Sequence, residues 1–218
     1  MRERLKTRRK RRTELDWWRR QREAEGELHA AHYELLFTRP FALERSFYAG
    51  RSILDVGCGP RGSLEWADDA RERVGVDPLA RRYRALGTDG HEMRYVAARA
   101  EALPFEDGRF DVVSAFNCLD HVEDAGQAAA ELARVLSPHG VLLLIVEIGH
   151  EPSVTEPLTL SWELTNLFAP ALAPELERRL EKLGGINDSV LQDPVPFDAS
   201  RPDRRPGVLV AKLGRAGQ

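Results

Sequence analysis

The sequence predicts an α/β fold built on a parallel, doubly wound sheet, and two observations carry that prediction. Between residues 52 and 147, short apolar runs alternate with amphipathic ones, the pattern of strands joined by right-handed crossovers with helices on both faces. The first of these runs ends in a glycine-rich turn, the device that hands a ligand from the end of a strand to the start of the next element. A length of 218 residues holds one such domain with an appendage and leaves no room for a second full catalytic domain. With 42% hydrophobic and 31% charged residues, a packed core forms and a wholly disordered or collagen-like chain is excluded.

The elements follow in order. Strands are expected at 52–56, 73–77, 92–97, 110–115 and 141–147, and helices at 62–70, 79–86 and 124–136, where apolar residues recur at helical spacing. Eight of the 13 prolines lie beyond residue 150, so the texture loosens there. A helix is expected over 174–183, a strand over 186–192 after Gly184-Gly185, and a final strand over 208–213. Residues 1–12 read as a basic disordered arm, too like-charged to bury anything. Residues 13–50 read as an N-terminal helical cap, and 51–218 as the main domain. Seven of the chain's 16 aromatic residues fall in the first 50, so the cap covers something apolar, either the edge of the core or a ligand pocket.

The longest strongly apolar run, residues 141–146, is far short of the roughly 20 needed to span a bilayer. The basic N-terminus is not followed by the apolar stretch of a secretory signal, so a cytoplasmic protein with no membrane partner is expected. Cys58 and Cys118 have no second Cys or His at ligand spacing, so neither a disulfide framework nor a metal site is expected. Charge is uneven: residues 1–22 carry 11 Arg/Lys against three acids, net +8, whereas residues 23–218 are net -11. A basic arm can track phosphates, which makes nucleic-acid binding the rival function; the acidic body, with no basic stripe interleaved with aromatics, weighs against it.

The chemistry concentrates at Ile53-Leu54-Asp55-Val56-Gly57-Cys58-Gly59-Pro60-Arg61-Gly62. Glycines belong where a ligand approaches the backbone more closely than a Cβ allows. Gly57, Gly59 and Gly62 spell G-x-G-x-x-G, and Asp77 lies 20 residues after Gly57 at the end of the next strand, where an acid can bind ribose hydroxyls. An adenosine-type cofactor follows, and a nicotinamide dinucleotide satisfies the bare motif. Against the dinucleotide, Asp55 sets a carboxylate where a pyrophosphate wants positive dipole, and that position suits a cationic group.

Taken with Ala100-Glu101-Ala102-Leu103-Pro104-Phe105, Phe110-Asp111-Val112-Val113 and Arg134-Val135-Leu136-Ser137-Pro138-His139-Gly140, the run Leu54-Asp55-Val56-Gly57-Cys58-Gly59 resembles the class I S-adenosylmethionine-dependent methyltransferases, particularly the small-molecule subgroup with a Leu-Pro-Phe loop. The resemblance spans about residues 50–147. It implies a Rossmann-like, seven-stranded, mostly parallel sheet with an antiparallel last strand, a terminal hairpin from 186–192 and 208–213, and S-adenosylmethionine as cofactor. It further implies that Asp55, Gly57, Cys58 and Gly59 surround the methionine part of the cofactor, Asp55 helping to hold its ammonium. Asp77 with the adjoining Pro78 would meet the ribose. Ala100 would meet the adenine through its backbone, with Glu101 beside it, and Asn117 would touch the cofactor near the methyl. The family's Asp-Ala before the Leu-Pro-Phe loop is here Arg99-Ala100, so the usual acid is missing.

Transfer of a methyl from sulfonium is an in-line displacement that alignment and dryness alone can drive far, with a general base as an aid. The expected candidates for that base are His121, Asp120, Glu147 and His150. A lid-like insertion at about 150–172, carrying Trp162, together with Trp18 and Tyr33 from the cap, would close an apolar pocket over a small-molecule substrate. An RNA-modifying enzyme using the basic arm is the alternative.

Overall fold

The computed structural model describes residues 2–201 and 205–217. Among them are seven strands: β1 (Ser52–Val56), β2 (Glu72–Val76), β3 (Arg94–Val96), β4 (Phe110–Phe116), β5 (Leu136–Ile148), β6 (Leu172–Glu181) and β7 (Gly207–Arg215). They form one sheet in the order β3-β2-β1-β4-β5-β7-β6. The five strands from β3 to β5 run parallel, with Leu54 of β1 paired to Val74 on one side and Val113 on the other. β7 is antiparallel to β5 and to β6. This is the doubly wound α/β sheet with an antiparallel last strand that the motifs imply.

The central strands are buried on both faces, which is why they read as unbroken apolar runs. Leu54, Val56, Val113, Ala115, Leu142 and Leu144 point into one core layer with the helix α4 (Ala125–Val135). Ile53, Val112, Leu143, Ile145, Val208 and Val210 point into the other, against Phe37, Phe41 and Tyr48 of the cap. α4 starts where Asp124 accepts the Gln127 N–H at 2.9 Å, an N-cap the sequence offers directly. The cap contributes α1 (Arg2–Glu25) and α2 (Tyr33–Thr38), and the short α3 (Ala80–Tyr83) follows β2.

Four expectations are corrected. The disordered arm expected over 1–12 is, among its described residues, part of a helix: α1 runs unbroken from Arg2 to Glu25. It is docked by Leu15, 4% exposed against Leu79, Tyr83 and Leu86, and by the Arg22 guanidinium on the Ala85 carbonyl at 2.9 Å. Residues 62–70 form turns in place of a helix, because Gly62 sits at φ +74°, the Trp66 indole N–H bonds the Ser63 carbonyl at 2.9 Å, and Asp68 is drawn to Arg45 at 2.5 Å. The segment expected as a helix over 174–183 is β6. Leu176 and Leu180, spaced by four, pack in the second core layer and Leu172 in the first, across a register shift between Pro174 and Leu176, a pattern whose spacing alone reads equally as helix; Pro174 and the surrounding charges are what an edge strand tolerates. The segment expected as a strand over 186–192 is α5 (Ile186–Leu191), opened by Asp188 accepting the Gly185 N–H at 3.2 Å. The terminal hairpin is therefore β6–β7. No helix among the described residues is long and apolar enough to cross a membrane.

Leu15 is the buried anchor of an otherwise charged helix. Leu15→Ala should weaken α1 docking by about 2 to 4 kcal/mol. Hydrogen exchange should then show loss of amide protection across α1 with β1, β4 and β5 still protected; uniform loss through the sheet would show that α1 does not open separately.

Candidate functional site

β1 pairs with β2 on one side and β4 on the other, so the chain leaves its centre in opposite directions and a crevice opens at the carboxyl ends of these strands. α1 lies across that crevice. Between them is a cavity of about 450 Å³, in the size range of small-molecule sites.

Its floor is the turn after β1. Gly57 and Gly59 line the cavity at φ +76° and +58°. A Cβ on Gly57 would run into the Cys118 side chain, and one on Gly59 would lie 2.8 Å from the Trp18 ring. The Gly57 N–H donates to the Val76 carbonyl at 2.8 Å, binding the end of β1 to β2. Cys118 lines the cavity and donates its thiol to the Val56 carbonyl at 3.1 Å. Two residues expected in this floor are not there. Cys58 turns its side chain into the second core layer, where it packs at Gly75 and Met93. Asp55, 3% exposed, lies beneath the turn, its Oδ1 accepting from Ser114 at 2.6 Å and its Oδ2 from Ser63. Burial pushes the Asp55 carboxyl up to about 6, against those two hydrogen bonds.

Asp77 and Pro78 line one end of the cavity with Tyr83. The Asp77 Oδ1 accepts the Leu79 N–H at 2.7 Å and the carboxylate is also hydrogen-bonded by the Tyr83 hydroxyl, yet burial raises its pKa to about 6. Ala100 and Glu101 line the next wall. Glu101 is committed to Arg99 at 2.8 Å and accepts the Glu123 N–H at 2.8 Å; burial opposes its charge, but the Arg99 hydrogen bonds prevail and hold it below the usual range. Asn117 lines the cavity at the end of β4 in a left-handed conformation, φ +47°, with its N–H on the Ile145 carbonyl at 2.7 Å.

The roof is α1. Thr7, Lys10, Arg11, Glu14, Trp17 and Trp18 line the cavity, three or four residues apart, so they form one stripe of a helix. Trp17 and Trp18 meet edge to face at 4.5 Å. Glu14 Oε1 is 3.1 Å from His121 Nδ1, and the Lys10 ammonium donates to the His121 carbonyl. Burial lowers the Lys10 pKa against the pull of Glu14 and Asp120. Burial also works against a charged His121, but the Glu14 hydrogen bond and the Asp120 charge outweigh it and raise its pKa.

Of the four candidate bases, only His121 lines the cavity, with Asp120 buried beside it. Glu147 is absent from its lining and is held by Lys182 at 2.6 Å. His150 sits behind Asp120, its Nε2 3.3 Å from Asp120 Oδ2. Of the expected substrate-facing aromatics, Trp18 lines the cavity; Tyr33 stacks on His32 and joins the second core layer, and Trp162 packs on Phe197 at 4.8 Å. The segment after β5 reaches the cavity with Thr155 and Glu156 instead. Lys10, Glu14, Arg99, Tyr83 and Glu156 line the site without having been expected there. For the α1 pair the helical spacing with Trp17 and Trp18 was the available signal, hidden by the charge of the segment.

Residues 54–144 match a family model described as a methyltransferase domain. An uncharacterized methyltransferase of Mycobacterium sp. (strain JLS) is 36% identical over 113 residues, 49% of this chain and 45% of that protein. The ubiquinone biosynthesis O-methyltransferase of Sodalis glossinidius (strain morsitans) is 33% identical over 136 residues, covering 57% and 51%. The chain thus spans about half the length of these relatives. In fold it is similar to the geranyl diphosphate C-methyltransferase of Streptomyces coelicolor A3(2), solved with Mg²⁺, geranyl diphosphate and S-adenosyl-L-homocysteine, at a TM-score of 0.56 and 20% identity over 79% of this chain and 76% of that one.

The turn geometry makes Gly57 intolerant of a side chain. Gly57→Ala should destabilise the protein by about 2 to 5 kcal/mol, from a left-handed alanine and the overpacking against Cys118. An unchanged urea midpoint would show that the turn is not so constrained.

Proposed function

We propose that this chain, whose residues 54–144 match a methyltransferase-domain model, is a class I S-adenosylmethionine-dependent methyltransferase that transfers a methyl group in line to a small, partly apolar acceptor held under α1. The observation that carries this reading is the joint placement of Gly57, Gly59, Asp77, Ala100 and Asn117 on one cavity of about 450 Å³ with Trp17 and Trp18 over it.

The residues present suit the cofactor. The two glycines open backbone that a Cβ would obstruct, and the buried Asp77 carboxylate offers an acceptor for ribose hydroxyls. The Ala100 backbone is available to the adenine ring. With Arg99 replacing the usual acid and Glu101 tied to Arg99, adenine recognition relies on main chain more than on a carboxylate. When bound, S-adenosylmethionine supplies a methyl group activated by its sulfonium. The protein's part is to align and to exclude water: Val122, Phe116 and the two tryptophans present apolar surface, while the far corner, with Glu14, His121 and Glu156, is polar. A small acceptor with an apolar body and one polar end matches that division. Glu147 and His150 lie off the cavity, so alignment takes precedence over base catalysis from either.

Asp77 binds ribose as the carboxylate. Affinity for S-adenosylmethionine should therefore be flat above pH 6 and fall about tenfold per unit below it, as protonation competes with binding. Asp77→Asn should weaken binding about tenfold to hundredfold, the value of a lost charge-assisted hydrogen bond, and flatten that pH profile. Calorimetry at pH 5 and 7 checks both, and binding of NAD with no sulfonium ligand would overturn the reading.

Once an acceptor is identified, Trp18→Ala should lower turnover by about tenfold or more through loosened alignment. Trp162→Ala should leave turnover per folded molecule near the wild-type value, because Trp162 faces Phe197. Steady-state rates normalised to folded protein distinguish the two.

A further inference from the structure

The polar corner of the cavity holds buried atoms that methyl transfer leaves unused. Asp120, His121 and Glu156 converge there, one donor atom from each lying within 4.8 Å of the others. His121 Nε2 is 3.9 Å from Asp120 Oδ1 and 3.8 Å from Glu156 Oε1. Asp120 is 1% exposed, yet its Oδ1 has no hydrogen-bond partner among the described residues, and neither has His121 Nε2. Buried polar atoms are nearly always partnered, so two that face each other across a gap mark the place of something that binds both.

We propose that this corner is a binding site for a divalent transition-metal cation, with His121 Nε2, Asp120 Oδ1 and a Glu156 carboxylate oxygen as its protein ligands. Four features fit. Metal–ligand bonds to His and carboxylate are about 2.0 to 2.2 Å, so ligand atoms 3.8 to 3.9 Å apart are within the span of one ion. Glu14, 3.1 Å from Nδ1, accepts that nitrogen's proton and leaves the lone pair on Nε2, the carboxylate–histidine arrangement that orients metal-bound imidazoles. His150, itself 9% exposed with its Nε2 lacking a hydrogen-bond partner, stands 3.3 Å from the other oxygen of Asp120, so the carboxylate lies between the two rings. Finally, Glu14, Asp120 and Glu156 outnumber Lys10, whose ammonium is on the His121 carbonyl, and Arg99 offsets only one of the two carboxylates of Glu101 and Glu123, so the corner favours a cation.

One imidazole with two carboxylates is a donor set for Mn²⁺, Co²⁺ or Zn²⁺ more than for ions that prefer oxygen alone. Three protein ligands leave coordination positions open, and His121 and Glu156 both line the cavity, so those positions are available to an oxygen donor of a small ligand. That the small ligand is the methyl acceptor rests on the function proposed above; binding of the cation does not. The sequence expectation of no metal looked only for partners of the two cysteines, whereas these ligands come from the turn after β4 and from the segment after β5.

The test is titration of the full-length, chelator-treated protein with Mn²⁺, following the electron paramagnetic resonance of the free ion, with Zn²⁺ calorimetry as a second readout. One Mn²⁺ per chain should bind with a Kd of tens of micromolar or tighter. Glu156→Gln, at the exposed side of the cluster, should weaken binding at least tenfold, and His121→Gln should abolish it, with circular dichroism unchanged. Absence of stoichiometric binding of both ions, or binding unaltered in both variants, would overturn the site. S-adenosylmethionine binding without metal binding refutes this inference and leaves the functional reading standing; Mn²⁺ binding without S-adenosylmethionine binding does the reverse.

Discussion

The cavity depends on a turn in which Gly57 occupies space that no side chain could share. Its backbone is left-handed and its missing Cβ is where the Cys118 side chain lies, so the end of β1 and the turn after β4 can close together only around a glycine. Around that contact the remaining polar groups act as struts. The Gly57 N–H reaches the last carbonyl of β2, the Cys118 thiol reaches the last carbonyl of β1, and Asp55 below is clamped by Ser63 and Ser114. Three strand ends are thereby fixed relative to one another, and the exposed main chain of the turn becomes a rigid surface. Asp55 illustrates the division of labour: a carboxylate in the signature motif acts as a brace beneath the site, with both oxygens already taken.

Above this rigid floor the roof is held quite differently. α1 is strongly basic and mostly polar, and its attachment rests on Leu15, Trp18, Glu25 paired with Arg61 at 2.5 Å, and the contacts of Lys10 and Glu14 with the turn after β4. The same helix thus carries apolar cover at Trp17 and Trp18 and polar groups one and two turns earlier, which sorts the cavity into a dry end and a charged end.

The sheet was legible because its signals are redundant. β1, β4 and β5 are apolar on both faces, the turn after β1 is glycine-rich, and Asp124 caps α4, so local and tertiary preferences agree. Where only one weak signal existed, tertiary pairing decided. The leucines at 172, 176 and 180 suit either period, and β6 forms because the edge of β7 needs a partner. Residues 186–191 read as strand from their aliphatics, yet Asp188 provides a helix start. Within the site, the cavity-facing Gly57, Gly59, Asp77, Ala100 and Asn117 were readable from motif spacing. His150 and Glu147 were not separable from His121 by sequence, since which histidine or acid faces inward depends on how the chain turns after β4 and β5. Lys10 and Glu14 were concealed because a charge-rich helix looks the same in sequence whether it is solvated or laid across an opening.

Were α1, a roof made of a single helix, to undock, ligand entry would become a docking equilibrium. If the closed form is a fraction of the population, apparent affinity is the intrinsic affinity reduced by that fraction, and any contact that holds α1 down strengthens binding without touching the ligand. The Leu15 anchor and the Glu25–Arg61 pair are at that level: remote from the chemistry, they would set how often such a chamber is shut. Residence time of whatever occupies it would then be a property of the helix as much as of the floor.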